Sequence, residues 1–344
     1  MHRWNLQDSL WYMKIANQNS TSFMLFQWHH ALADGASIAA AFADVCDEGP
    51  QLRAMIQSGL LEMKRKQRRA RNWLVKGWRF YVKLVKFIVG SLHAILYHMY
   101  LSLLNAFWDT NPWKHLETKQ HAKRTLSWTE FSSVDQVKWV GKTLGHATVN
   151  DVLVACVTAA LARQLEHHRQ IHTNLPVQKH VNVAVPVHLT GGLILPHESV
   201  SNTLGAFVAR VPCEQSENRL EQVHRELDSI KRTPAALIGY LVAHTVSYVS
   251  RFLPFVEKIY EHSHAGCNVV VSNTRGPDIP LHIGGREIEH FFAFVPLPAG
   301  IAIGVAVMTY NQNCALTLAA EPWAVPDGDQ FLRWVLDEYK QLVE

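Results

Sequence analysis

Two adjacent histidines, His29 and His30, are followed by Asp34 and Gly35 in the run His29-His30-Ala31-Leu32-Ala33-Asp34-Gly35. An imidazole titrates near neutrality, so a histidine facing a cleft can take a proton from a hydroxyl during acyl transfer. His30 is the candidate general base, with His29 beside it. Asp34 can fix the loop through a cation or through backbone N–H groups, and Gly35 permits a tight entry into the next element. The chain holds 20 histidines, so the pair gains meaning only from its surroundings.

Those surroundings are ordered as strand, loop and helix. Phe23 to Trp28 reads FMLFQW, the length of a buried strand, and ASIAAAFADV after the loop reads as a helix. A second cluster, Thr148-Val149-Asn150-Asp151, opens a long apolar helix that is expected to reach about Leu165. The Asn150 amide can donate to a developing oxyanion, or Asn150 and Asp151 can simply cap that helix. A third cluster, Ser272-Asn273-Thr274-Arg275-Gly276-Pro277, follows a valine-rich strand and either lines a binding cavity or forms a turn.

The remaining pattern is that of a mixed α/β protein. Arg124 to Trp128 suggests a strand and Ser132 to Asp135 a helix start. VNVAVPVHL, NTLGAFVARVP, GCNVVVSNT and GIAIGVAVMTY are strand-like, and a helix is expected near Glu217 to Lys231. No fixed repeat is visible, which argues against solenoids and propellers.

Taken together, these motifs resemble a known family. His29 to Gly35 matches HHxxxDG, the signature of the chloramphenicol-acetyltransferase-like superfamily. Thr148 to Leu153 resembles the TVNDV block, and Ser272 to Pro277 the SNxxGP loop, of the bifunctional wax ester synthase/diacylglycerol acyltransferases. Similarity continues through Val185-Pro186-Val187, Asn202 to Gly205, and Met308 to Asp327. The resemblance implies two similar α/β lobes with mixed sheets flanked by helices and a tunnel between them. It also implies transfer of a fatty acyl group from acyl-CoA to a long-chain alcohol or diacylglycerol, giving wax ester or triacylglycerol. His30 would be the base, helped by His29 and Asp34 and supported by Gly35, Asn150 and Asp151, with Ser272, Asn273 and Gly276 near substrate. Acyl-CoA would be a co-substrate, and no cofactor or metal is expected. Only 28 residues precede the motif, so the first lobe is expected to be incomplete. After Val-Pro-Val, where relatives often carry an arginine, this chain has His188-Leu189-Thr190. Two rival readings are an acyltransferase of the same superfamily acting on a small alcohol or amine, and a non-catalytic lipid-binding relative.

With 344 residues the chain can bury a substantial core, and 48% hydrophobic content excludes a disordered protein. The net charge is +4, with Lys64, Arg65, Lys66, Arg68, Arg69 and Arg71 crowded into one run, so a nucleic-acid-binding chain is not indicated. Five scattered cysteines without a CxxC pair fit reduced thiols facing the cytosol. Glu261, His262, His264 and Cys267 read as a polar loop rather than a metal site, and His167 and His168 as cations near a helix end.

Three regions follow: a partial acyltransferase lobe over 1–60, a basic and aromatic membrane-associated helical segment over 61–120, and a second lobe over 121–344. Phe87 to Trp108 spans 22 residues without Asp, Glu, Lys or Arg. A helix of that length reaches about the 30 Å of a bilayer core. Upstream, Lys76, Arg79, Lys83 and Lys86 share one helical face opposite Trp78, Tyr81 and Val85. If His30 and Asn150 or Asn273 build one site, both ends of the segment lie on the same side of the membrane, which excludes a single crossing. The segment is expected to lie in the interface or to form a hairpin bending at Gly90-Ser91; two buried core helices are the alternative. The segment looks more like the plant-type branch, which implies association with the endoplasmic reticulum and lobes facing the cytosol.

Overall fold

In the computed structural model the protein is described from residue 9 to 344, except residues 56, 57, 59–72, 108–110, 114, 115, 117–122, 173, 174, 176, 190–201, 215, 257, 259, 261–265 and 299. For residues 36, 40, 43, 73–80, 106 and 107 the backbone alone is described. The basic run 64–71, the side chains of Lys76, Trp78 and Arg79, and Glu261, His262 and His264 therefore lie outside the description.

The chain opens with an antiparallel hairpin, β1 (Trp11–Gln18) and β2 (Thr21–Trp28), whose turn places Asn19 at a positive φ. FMLFQW is thus a strand, but Phe23, Met24 and Leu25 are exposed rather than buried. A two-stranded ribbon has no second layer among the described residues to cover that face. Helix α1 (Gly35–Ala43) follows the histidine loop.

The main body is a six-stranded mixed sheet in the order β3-β10-β9-β6-β4-β5, flanked by helices. Its strands are β3 (Thr125–Ser133), β4 (His180–His188), β5 (Leu204–Pro212), β6 (Val269–Arg275), β9 (Ile303–Tyr310) and β10 (Asn313–Ala320); the short pair β7 (His282–Ile283) and β8 (Arg286–Glu287) stands apart. β4, β6 and β9 run parallel, and the outer pairings are antiparallel.

Alternation along the strands divides the core into two layers. Val183, Val185, Val269 and Val271 point to the large cluster formed with α3 (Val134–Thr143), α4 (Val149–Ile171), α5 (Arg219–Lys231) and α7 (Gly328–Val343). Ala184 and Val270 point the other way, to a small cluster with Ile301 and Val295. β9 is buried along its whole length, as expected for a strand covered on both faces. Every residue of α4 from Val152 to Leu161 is buried, which is why its sequence shows no polar stripe.

One sequence expectation needs correction. The 61–120 segment contains one continuous helix, α2 (Trp73–Phe107), so neither a hairpin at Gly90-Ser91 nor two buried core helices is present. Gly90 is buried inside that helix against Pro234, the residue before α6 (Ala235–Val249). Along Tyr81–Asn105, 11% of the most apolar window is buried. The N-terminal and C-terminal regions are in contact. Phe42 of α1 packs on Phe291, with ring centroids 5.3 Å apart, and just past the helix Cys46 packs with Leu281 and Tyr310 while Glu48 accepts the His282 N–H at 2.8 Å.

Candidate functional site

The histidine loop is closed by its own backbone. The His29 N–H donates to Leu10 O at 2.8 Å, the Leu32 N–H to His29 O at 2.9 Å, and the Trp28 indole N–H to Ala33 O at 3.1 Å. His29 Nδ1 accepts the Ala31 N–H at 3.2 Å, which ties that ring into the turn. The adjacent ring is placed differently. His30 is half-buried, its carbonyl accepts from Asn202 Nδ2 at 2.8 Å, and its imidazole has no hydrogen-bond partner among the described residues.

Asp34 is fully buried and serves two elements. Oδ1 accepts the Ser37 N–H at 2.9 Å, capping α1, while Oδ2 accepts the Thr203 N–H at 2.9 Å and stands 3.4 Å from His188 Nε2. Burial pushes the carboxyl pKa up, but the Ser37 and Thr203 N–H groups, the Ser37 hydroxyl and nearby His188 outweigh it and hold the group below its ordinary range. Asp34 fixes the loop through N–H groups, the second of the two routes open to it from sequence. Gly35 shows no need for a glycine. Its φ is not positive, and nothing lies within 4 Å of where a side chain would start.

His188, Asn202 and Thr203 are the site residues that sequence did not assign. His188 ends β4, is 10% exposed, and faces the Thr203 hydroxyl at 3.0 Å as well as Asp34. It stands where the sequence resemblance implies an arginine, and that departure was the signal available beforehand.

The end of the sheet where this loop sits is open. β4 and β6 pair only at Val183/Val269 and Ala184/Val270, yet β6 stays paired to β9 as far as Arg275/Thr309. The strands therefore part at their carboxyl ends, the place where open α/β sheets hold ligands. His188 lies on one side of this opening, and half-buried Ser272 and exposed Asn273 lie on β6 at the other. Gly276 has a backbone role instead: its N–H donates to Thr309 Oγ1 at 3.1 Å, and a Cβ there would come within 2.2 Å of Thr309 O.

The start of α4 reaches the same end of the sheet by a chain of contacts. Thr148, not Asn150, is the cap, in a reciprocal arrangement with Asp151. Asp151 is fully buried, accepts from the Thr148 N–H at 2.8 Å, contacts His224 Nδ1 at 2.8 Å, and pairs with Lys231 at the end of α5. Burial raises its pKa, but Lys231, the Thr148 N–H and His224 prevail and lower it. Five residues past Lys231, Ala236 O stands against Gly205, which pairs with Val187 next to His188. Asn150 Oδ1 is buried without a partner among the described residues. No hydrogen bond links Asn150, Asp151, Ser272 or Asn273 to His30 among those residues.

Elsewhere, His168 is not a solvated cation. It is 5% exposed, with Nε2 at 2.9 Å from Ala324 O, and burial holds its pKa below the ordinary 6.5. All five cysteines are free and buried, and no group of three metal-ligating side chains occurs among the described residues. Two clefts, of about 600 Å³ beside Trp334 and about 300 Å³ beside Phe131, have no residue of the histidine loop in their walls.

Residues 200–343 match the WS/DGAT C-terminal domain. That stretch holds Asn202, Thr203, Ser272, Asn273 and Gly276; the histidine loop lies outside it. A Mycobacterium tuberculosis protein named as a candidate diacylglycerol O-acyltransferase is 25% identical over 216 residues, 60% of this chain and 44% of the relative. The O-acyltransferase WSD of Acinetobacter baylyi is 25% identical over 218 residues, 61% of this chain and 44% of the relative. The chain thus matches less than half the length of these curated relatives. Among solved structures, the wax ester synthase/diacylglycerol acyltransferase of Marinobacter aquaeolei VT8 superposes with a TM-score of 0.59 at 18% identity, covering 99% of this chain and 72% of that one. Polyketide synthase associated protein 5 of Mycobacterium tuberculosis superposes with a TM-score of 0.50 at 12% identity, covering 100% of this chain and 79% of that one. The chain has the mixed α/β fold of these proteins.

Proposed function

We propose that this protein is an acyl-CoA-dependent O-acyltransferase that esterifies a long-chain alcohol or diacylglycerol, with His30 as general base. The observation that carries the reading is the His30 ring: half-buried, unpaired among the described residues, and held by its own carbonyl and by Asp34 at the open end of a sheet whose C-terminal part matches WS/DGAT proteins. The names of the similar proteins supply the substrate class.

In this mechanism His30 removes the proton from the acceptor hydroxyl as its oxygen attacks the thioester carbonyl. The negative charge on the carbonyl oxygen is met by the side-chain amide of Asn150, in the first turn of α4. The tetrahedral intermediate expels the CoA thiolate, which takes the proton back from the imidazolium, leaving ester and free thiol. His29 and Asp34 hold the loop, and Ser272 and Asn273 border the substrate. Membrane lipid is the setting, and the plant-type branch and endoplasmic reticulum are the placement that the long basic and aromatic segment supports.

The test is His30→Ala assayed with palmitoyl-CoA and either hexadecanol or diacylglycerol. Loss of the base should lower turnover by about 10²–10⁴-fold with the unfolding midpoint unchanged. Activity equal to wild type would sink the assignment. Wild-type protein that binds acyl-CoA without turning it over would favour the lipid-binding reading.

A further inference from the structure

α2 has two apolar faces pointing in opposite directions, and the fold accounts for one of them. At 100° per residue, Gly90, Ala94, Tyr97 and Leu101 share an arc of about 60°, and this is the face against the domain. Gly90 stands against Pro234, Tyr97 Oη accepts the Arg210 N–H of edge strand β5 at 2.9 Å, and the Asn105 side chain touches Gly266. These pins fasten about 22 Å of helix along the protein.

On the opposite side, Tyr81, Ile88, Leu92, Ile95, Met99 and Leu103 form a stripe within about 80° that runs for about 33 Å. All six are between 46% and 58% exposed. A soluble surface rarely leaves an apolar strip of that length uncovered. Around the corner, α6 and the turn after it expose Tyr248 and Phe252 as well.

The charge pattern names the occupant. Neither α2 nor α6 contains an Asp or Glu, and among the described side chains of α2 the exposed charges are Lys83 and Lys86, on the side of the helix opposite the stripe. An apolar stripe on a helix whose charged residues are all basic suits the headgroup and acyl boundary of an anionic bilayer. Tyr81–Asn105 is long and apolar enough to cross a membrane, but Tyr97 within it is bonded to a strand of the sheet. The chain before it and the chain after it also meet, where Asn202 bonds His30.

The geometry points to α2 as an in-plane docking face: the helix lies along an anionic bilayer by its Ile88-Leu92-Ile95-Met99 stripe and does not cross it. This deepens the membrane setting proposed above and rests on it, but it is independent of catalysis.

The test uses the His30→Ala protein and flotation with vesicles of phosphatidylcholine, alone or with phosphatidylserine. Binding is expected to phosphatidylserine vesicles and to fall about five-fold for each of Lys83→Gln and Lys86→Gln. Ile88→Glu/Ile95→Glu, at exposed positions, should abolish flotation while leaving the circular dichroism unchanged. A fluorophore on a single cysteine at 88, 92, 95, 99 or 103 is selective because the native cysteines are buried. It should report one shallow depth, about 5–10 Å below the headgroups, at all five positions. Depths that pass through the bilayer centre would overturn the in-plane geometry. If the double glutamate variant floats like wild type, the face is wrong while the membrane setting stands. If the parent protein floats with no vesicle, both fall. Self-association without vesicles that the double variant abolishes would replace the bilayer with a second copy.

Discussion

Replacing Asp34 by Asn changes one atom in a buried carboxylate and tests whether that group holds the histidine loop to the sheet. Asp34 Oδ1 serves Ser37 and Oδ2 serves both Thr203 and His188. An asparagine has one acceptor oxygen. If it keeps Ser37, its NH₂ confronts the Thr203 N–H, leaving a buried donor without an acceptor at about 1–3 kcal/mol, and the surviving bond loses its charge assistance at about 1 kcal/mol. The sum is about 2–4 kcal/mol at neutral pH, read as a lower urea midpoint. The pH dependence gives a second arm. Because the folded-state pKa of Asp34 is below its ordinary 3.8, its contribution is full above that value and fades as pH falls through the folded-state value. The difference between wild type and Asp34→Asn should therefore be constant from neutrality down to about pH 5 and shrink below pH 4. Equal stability at pH 7, or a gap that persists into strong acid, would refute the role given to this carboxylate.

Three further outcomes follow from single contacts. Tyr97→Phe removes the acceptor for the Arg210 N–H on an edge strand and should lower stability by about 1–3 kcal/mol, measured by urea unfolding, with hydrogen exchange at Arg210 accelerated. Gly239→Ala places a Cβ 2.4 Å from Ala206 O and should cost about 1–3 kcal/mol in the same assay, because α6 must move off β5. His168 is held neutral by burial, so the folded state binds fewer protons than the unfolded one once pH drops below 6.5. Stability should decline from there as pH falls, and His168→Gln should flatten that decline in melting temperatures recorded between pH 7 and 5.

The sheet was legible where valine runs are bounded by Gly, Pro or Asn, as in β4, β5, β6 and β9. β10 was not, for a specific reason. It joins β9 through Asn311 and Gln312, both at positive φ, and a two-residue turn of that kind is read from sequence by a glycine that is missing here. α6 escaped because AALIGYLVAHTVSYV is apolar on all sides and offers no period, while α4 ran past Leu165 to Ile171 because its last turns are amphipathic rather than uniformly apolar. FMLFQW carried the composition of a buried strand, and composition does not say whether a second layer is present.

The site was legible in its parts and not in its connections. His30, Asp34, Asn150 and Ser272 stand out by motif, but the bonds that organise them join Asp34 to Thr203 and His30 to Asn202, across about half the chain. Such pairs follow from topology: parallel β4 and β6 must open at their carboxyl ends before the loop from β2 has anywhere to dock. His188 makes the point sharply. From sequence it is a departure from an expected arginine. In the fold it is the group that faces both the Asp34 carboxylate and the Thr203 hydroxyl. An arginine would meet that carboxylate with a permanent charge and a fork of donors, whereas an imidazole meets it through one nitrogen. The Thr203 N–H must therefore carry more of the load of holding Asp34, so the start of β5, rather than the end of β4, is where this histidine loop is most dependent on the sheet.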